Sequence, residues 1–285
     1  MIEEYWKLLE ENRVKTSVRR IEDLFEKDET RFKRFSLVTD DFTLDYSKTN
    51  IDDYAMANLL NLAEYASVKE KTEDMFSGKK INNTENRSVL HTLLRNFKSP
   101  LVVDGLDISL KVNQSLDKAL RFSENIRSGK IVSVAGERFQ NIINIGIGGS
   151  ELGPKMVARA LSQYQDGPQL YFVSNLDSSD LIDTISGLDL KSTLLIISSK
   201  SFTTLETLTN ANTVKNLILS KLGPAGMKNF VAVCSAKNKA LEFGVHEEKI
   251  FEFDDWPSVT LLNEERIVPV TFVVPTVKEL EAVIS

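Results

Sequence analysis

The sequence predicts an α/β fold, a parallel sheet flanked by helices, preceded by a mainly helical N-terminal region. Three observations predict it. From Asn141 onward, short apolar runs alternate with helical stretches. Before that point, apolar residues recur mostly at helical spacing. The segments after the first and third runs are rich in glycine and in hydroxyls, respectively. Strands alternating with helices imply parallel pairing through right-handed crossovers.

The elements follow in order. Val14, Val18, Ile21 and Phe25 recur at helical spacing with charged residues between them, which predicts an amphipathic surface helix. Phe35–Val38 and Phe42–Tyr46 flank Thr39-Asp40-Asp41, which predicts a hairpin. Helical patterns cover Ile51 to Phe76 and Arg87 to Asn96. The apolar runs Ile142–Ile145, Leu170–Val173, Leu194–Ile197 and Phe230–Val233 are read as strands, with Phe251–Phe253 as a fifth. The rhythm changes at Asn141, and the boundary between the helical and α/β parts is placed near Gly105 to Asn113. This gives a helical region over 1–110, an α/β domain over 111–256 and a tail over 257–285.

Composition narrows the function. The chain has 285 residues, 42% hydrophobic and 27% charged, which suits a globular protein rather than a disordered one. The net charge of -6 argues against a nucleic-acid partner, because a phosphate backbone wants a basic face. One cysteine, Cys234, allows no internal disulfide and no cysteine metal cluster, and it fits a reducing compartment. Met1 to Trp6 carries early acids without a long apolar run, so no signal peptide is expected there. Leu194–Ile197 and Ile267–Val274 are far shorter than the about 20 apolar residues that span a bilayer. The expectation is a cytoplasmic protein with no membrane partner, no metal and no cofactor.

Two segments carry the chemistry. Gly146-Ile147-Gly148-Gly149-Ser150-Glu151-Leu152-Gly153-Pro154 follows the first strand. It begins like a dinucleotide fingerprint, but Glu151 stands where the third glycine belongs, and no Gly-Lys-Ser/Thr ending makes it a Walker loop. Its glycines let a backbone approach a ligand closely, and Ser150 adds a hydroxyl. The same residues would also serve as a tight strand-to-helix turn with no ligand. Ser198-Ser199-Lys200-Ser201-Phe202-Thr203-Thr204-Leu205-Glu206-Thr207 follows the third strand. Hydroxyls and a lysine at a helix start compose a phosphate cradle, where free N–H groups and the helix dipole attract an anion. Ser and Thr also favour helix starts as simple caps. Two such loops after strands of one sheet point to a phosphorylated small molecule at the carboxyl ends of the strands.

The run Asn144–Pro154 closely resembles a phosphoglucose isomerase signature, and Ser199–Thr207 resembles the same family's phosphate loop. Asn175-Leu176-Asp177, Asn86–His91 with Arg95-Asn96, and Leu44–Lys48 fit the family in order, so the resemblance spans roughly residues 1 to 256. It implies a sugar-isomerase (SIS-type) α/β fold and interconversion of glucose 6-phosphate and fructose 6-phosphate. It implies that Ser150, Ser199, Ser201 and Thr204 bind the sugar phosphate, with Gly149 and the Lys200 backbone bordering it and Glu206 near the active site. It implies no metal or nucleotide cofactor, and a homodimer for the full-length family. Ser201 stands where the family more often has Thr, and Leu205 where it often has Gln.

The resemblance is expected to end at Trp256. There the family continues into Gly-Gly-Arg-Tyr-Ser, whereas this chain reads Pro257-Ser258-Val259-Thr260. The family's active-site arginine, proton-shuttling glutamate, ring-opening histidine and C-terminal lysine are therefore not expected in the chain. Neither His91 nor His246 matches the ring-opening position, and both are read as structural. A disrupted reading frame is the favoured origin of the tail, with a strand-rich ending as the alternative. Aldose–ketose isomerisation needs a base and an acid that a phosphate cradle does not supply. Three readings follow: an isomerase represented by an incomplete chain, a sugar-phosphate-binding module, and an inactive truncated product.

Overall fold

The computed structural model describes residues 2–40, 42–84, 86–94, 100–252, 261–263 and 266–268. The chain divides into two compact units, Met1–Ser77 and Gly78–Ser285.

The first unit contains α1 (Ile2–Lys15), α2 (Ile21–Lys27), α3 (Arg31–Arg34), β1 (Ser36–Val38), β2 (Thr43–Asp45), α4 (Asp53–Tyr65) and α5 (Val68–Phe76). The single helix expected through Val14 and Phe25 is two. The Thr16 and Ser17 hydroxyls donate back to the carbonyls of Asn12 and Val14 at 2.9 and 2.8 Å, a bond that competes with helix continuation. Val18 falls in that break and is 90% exposed. The expected hairpin forms, with Leu37 opposite Leu44. The helical pattern from Ile51 to Phe76 is likewise divided, at Ser67, whose φ of 53° is left-handed. A buried arginine organises the unit. The Arg31 guanidinium lies 4.2 Å over the Phe35 ring and donates to the carbonyls of Ser47, Thr49 and Ile51.

The second unit opens with a bridge between Asn82 and Arg87 and a 3-10 turn, His91–Leu94. The helix expected over Arg87–Asn96 is absent from the described part of that stretch. Asn86 is left-handed, and the Ser88 hydroxyl is turned onto the Gly78 carbonyl at 2.6 Å. Arg95 and Asn96 lie outside the described residues. β3 (Val102–Val103), β4 (Leu106–Asp107) and the long α6 (Ile108–Arg127) follow. Asp107 caps α6 by accepting from Leu110 N–H. Gly129, at φ 77°, lies just past the end of that helix, in a backbone region that glycine enters without strain. The residues from 78 to 110 pack with α6 through Leu90, Leu93, Leu101 and Val103, upstream of the boundary expected near Gly105 to Asn113.

Next come β5 (Asn141–Ile145), α7 (Leu152–Ala160), β6 (Gln169–Val173), α8 (Ser178–Ile185), β7 (Thr193–Ser198), α9 (Leu205–Leu222), β8 (Phe230–Cys234), α10 (Lys237–Phe243) and β9 (Ile250–Glu252). Each expected apolar run is a strand, and Phe253 of the fifth lies outside the described residues. The five strands form one parallel sheet in the order β6-β5-β7-β8-β9. All six residues of central β7 are buried, as a strand covered on both faces requires. Alternation along the strands divides the core. Ile142, Leu194, Ile196, Val231 and Val233 pack with Val112, Leu116, Phe122 and Ile126 of α6. Ile143, Ile145, Leu195, Ile197 and Phe230 pack with Ala211, Val214 and Ile218 of α9. Each of these Val, Leu, Ile and Phe side chains contributes about 1.5–3 kcal/mol on burial. In the tail, β10 (Leu261–Asn263) pairs antiparallel with β11 (Arg266–Val268).

Among the described residues, no helix is long and apolar enough to cross a membrane.

Candidate functional site

Chain order and sheet order together define the site. β5 sends its connection to β6 on one side, and the chain then returns to β7 on the other. The carboxyl ends of β5 and β7 therefore form a switch point, where open α/β sheets leave a crevice for ligands. The glycine-rich loop leaves β5 there, and the hydroxyl-rich loop leaves β7 beside it.

The first loop folds as a 3-10 turn, Gly148–Ser150, running into α7. Gly148 has φ 59°, which glycine adopts without strain. Gly148 and Gly149 are exposed, and Ser150 is half-buried. Gly146 answers a different need. A Cβ there would meet the Ser150 carbonyl oxygen and the Ser198 carbonyl oxygen, both at 3.0 Å, so the loop backbone closes directly on the end of β7. Glu151, almost wholly buried, is held by Lys155 at 2.7 Å.

The second loop is anchored from below by Phe202. Its ring is buried 5.8 Å from Phe243, while its backbone has φ 50°. A bulky residue enters that region only when its surroundings enforce it, at a cost of about 1–3 kcal/mol. Sinking Phe202 leaves its neighbours Ser201 and Thr203 outward, their hydroxyls 2.6 Å apart. Thr204 is the N-cap of α9, and its hydroxyl meets the buried Ser199 hydroxyl at 3.0 Å. The loop is tied sideways as well. Ser199 N–H donates to Val233 O, and Ser235 N–H donates to Lys200 O at 2.9 Å.

The structure thus brings Gly149, Ser150, Ser199, Lys200, Ser201 and Thr204 to the ends of two paired strands, with Glu206 half-buried in the first turn of α9. Thr207, one residue further, has a buried hydroxyl with no hydrogen-bond partner among the described residues. The Asn175–Asp177 segment joins the same edge. Gly146 N–H donates to Val173 O, and Asn210 of α9 donates to Asn175 O at 2.7 Å. Asp177 itself caps α8. Leu44–Lys48 belongs to the first unit. Asp45 there accepts from the Ser47 amide and hydroxyl at 2.9 and 2.5 Å, forming a turn rather than a cradle.

Sequence reasoning missed Lys239. Its ammonium donates to the Ser201 carbonyl at 3.4 Å, bringing a second cation to a loop that already carries Lys200. It lies on α10, far along the chain, and no local pattern marks it. Helix N-termini, exposed glycine backbone, hydroxyls and lysines at one strand edge form an arrangement suited to a small anion. Among the described residues, no group of three or more His, Cys, Asp or Glu could hold a metal.

Comparison with known proteins gives the same direction. The profile of the family described as Phosphoglucose isomerase matches residues 45–259. The glucose-6-phosphate isomerase of Chelativorans sp. (strain BNC1) is 46% identical over 250 residues, covering 87% of this chain and 46% of that protein. That of Methylococcus capsulatus is 42% identical over 256 residues, covering 88% and 47%. The crystal structure of a glucose-6-phosphate isomerase from Chlamydia trachomatis superposes with a TM-score of 0.63 at 27% identity, over 82% of this chain and 44% of that one. The chain spans about half the length of the curated relatives it matches. With a family profile covering most of its length, the chain belongs to the phosphoglucose isomerase family.

Proposed function

We propose that this chain supplies the sugar-phosphate-binding half of a glucose-6-phosphate isomerase, the enzyme that interconverts glucose 6-phosphate and fructose 6-phosphate. One observation carries the reading: the glycine loop and the hydroxyl loop leave adjacent strands of one sheet and face the same switch point. In this reading the sugar's phosphate accepts hydrogen bonds from the hydroxyls of Ser150, Ser199, Ser201 and Thr204. It lies against the backbone of Gly149 and Lys200, and the α9 dipole favours its charge. Glu206 stands beside the sugar rather than the phosphate.

Binding is one part of the reaction. Isomerisation moves a proton between adjacent carbons through an enediol intermediate, and it needs a base, a ring-opening acid and a cation near the developing oxyanion. Pro257-Ser258-Val259-Thr260 stands where the family continues into Gly-Gly-Arg-Tyr-Ser, and the chain is proposed to bind without turning over. A reading as a stand-alone sugar-phosphate sensor shares the loops. The similarity to isomerases over most of the chain, including part of the first unit, favours isomerase ancestry. A homodimer is proposed for full-length members of the family, and a cytoplasmic location for this chain, in keeping with its single cysteine.

The test is a coupled assay of fructose 6-phosphate conversion on the purified chain, with a parallel calorimetric titration. Saturable binding without turnover is the expected outcome. Turnover would show that a base is present in this chain, and absence of binding would remove the phosphate site.

A further inference from the structure

β5 carries one residue that its position in the core does not explain. Asn144 sits in the sheet between Ile143 and Ile145, both fully buried, with Phe172 and Ile196 as its cross-strand partners. It is only 1% exposed. An apolar side chain would be the ordinary choice, since an unpaired carboxamide there costs about 1–3 kcal/mol. Asn144 is instead engaged at both its nitrogen and its oxygen. Its Nδ2 donates to the Ser150 carbonyl at 3.0 Å, and its Oδ1 accepts from the Ser198 hydroxyl at 2.7 Å. Ser150 closes the glycine turn, and Ser198 is the residue immediately before Ser199. One planar amide therefore joins the two loops.

We infer that Asn144 is a positioning residue: it sets the spacing of the Ser150 loop from the Ser199 loop so that both address one phosphorylated sugar. The inference rests on the proposed sugar-phosphate site. The geometry is specific to a carboxamide. Asn144 must donate on one side, toward a carbonyl, and accept on the other, from a hydroxyl. Ser198 faces the same side of the sheet as Asn144, because Ile196 is opposite Asn144 and alternate residues share a face. The close approach of Gly146 to the carbonyl oxygens of Ser150 and Ser198 leaves the loops little freedom to move apart while the amide holds. A valine would fill the space yet leave the Ser150 carbonyl and the Ser198 hydroxyl without this partner.

The test is Asn144→Asp in the full chain. The carboxylate still accepts from Ser198 but turns an oxygen against the Ser150 carbonyl, so one side of the clasp opens. At about pH 8 the dissociation constant for fructose 6-phosphate is expected to rise roughly tenfold over the unsubstituted chain. The ratio should fall toward unity at about pH 5, because burial and the facing carbonyl raise the carboxyl's pKa and its protonated form can donate to Ser150 again. Amide hydrogen exchange should quicken in both loops together, at 147–150 and at 199–204. An unchanged affinity, or a penalty independent of pH, overturns the inference while leaving the binding reading intact. If the unsubstituted chain binds no sugar phosphate, the binding reading fails. The exchange pattern then decides alone: acceleration in both loops supports the coupling, and acceleration in one loop overturns it. Should Asn144→Asp fail to fold, Ser198→Ala opens the other side of the clasp and is read by the same exchange experiment.

Discussion

The hydroxyls of Ser199 and Thr204 meet at 3.0 Å across the turn between β7 and α9. Ser199 is buried at the end of the sheet, and Thr204 is half-buried at the N-cap position of α9, where its side chain makes no cap hydrogen bond. Each braces the other, and an arriving phosphate oxygen would find both already oriented. Thr204→Val keeps the shape and removes one hydroxyl. The expected cost in fructose 6-phosphate binding is about 1–3 kcal/mol, a rise in Kd of roughly five- to 150-fold. Calorimetric titration measures it, with circular dichroism to verify the fold. An unchanged Kd would reduce the pair to a brace within the loop.

Arg31 places a charge where few proteins tolerate one. At 2% exposure, it donates to three carbonyls and lies over the Phe35 ring. The guanidinium fork reaches all three acceptors at once, which a lysine ammonium on a flexible stem does not reproduce. Arg31→Met is expected to destabilise the chain by roughly 2–4 kcal/mol, because the carbonyls of Ser47, Thr49 and Ile51 lose a charged donor. Arg31→Lys should recover only part of that loss. Urea denaturation followed by fluorescence reads both, and full recovery by lysine would refute the fork argument.

Much of this was legible in the residues. The runs Ile142–Ile145 and Leu194–Ile197 announce buried parallel strands because both faces of the sheet are covered, so apolar residues follow one another without a break. Glycines and hydroxyls announce the two loops, because backbone approach and helix-start chemistry each demand particular residue types. The break at Thr16 and Ser17 was not legible. Apolar spacing continues through it, and only side-chain bonds to the preceding turn reveal the stop. The stretch from Arg87 misled for a related reason: its periodic residues are committed to a bridge and a 3-10 turn by Asn86 and Ser88. Lys239 and the clasp at Asn144 depend on strands and helices meeting in space, and no local pattern encodes that meeting.

Cys234 ends β8 fully buried, and removal from water pushes its thiol up to about 11. The folded state therefore holds this proton more tightly than the unfolded chain, whose thiol titrates near the ordinary 9.0. The contribution to stability is fully present below that value and is lost as pH rises from it toward about 11. Native protein at about pH 8 is expected to leave Cys234 unmodified by Ellman's reagent, with complete reaction in guanidinium. Rapid labelling of the folded chain would contradict the burial.

Leu37 and Leu44 face each other across the β1–β2 hairpin, 56% and 51% exposed. Val38 and Phe42 add exposed apolar surface at the turn end, at 71% and 63%. The ribbon has two strands, so among the described residues each presents an open edge as well as an apolar face. Unpaired edges and apolar faces together favour pairing with another chain. The purified chain is expected to associate in a concentration-dependent way. Leu44→Lys should weaken that association, because a charge placed opposite Leu37 makes a buried face costly and leaves the hairpin's backbone pairing untouched. Sedimentation velocity over a concentration series distinguishes the cases. A monomer at every concentration, or a variant that associates as strongly as the parent, would exclude this hairpin as the adhesive surface.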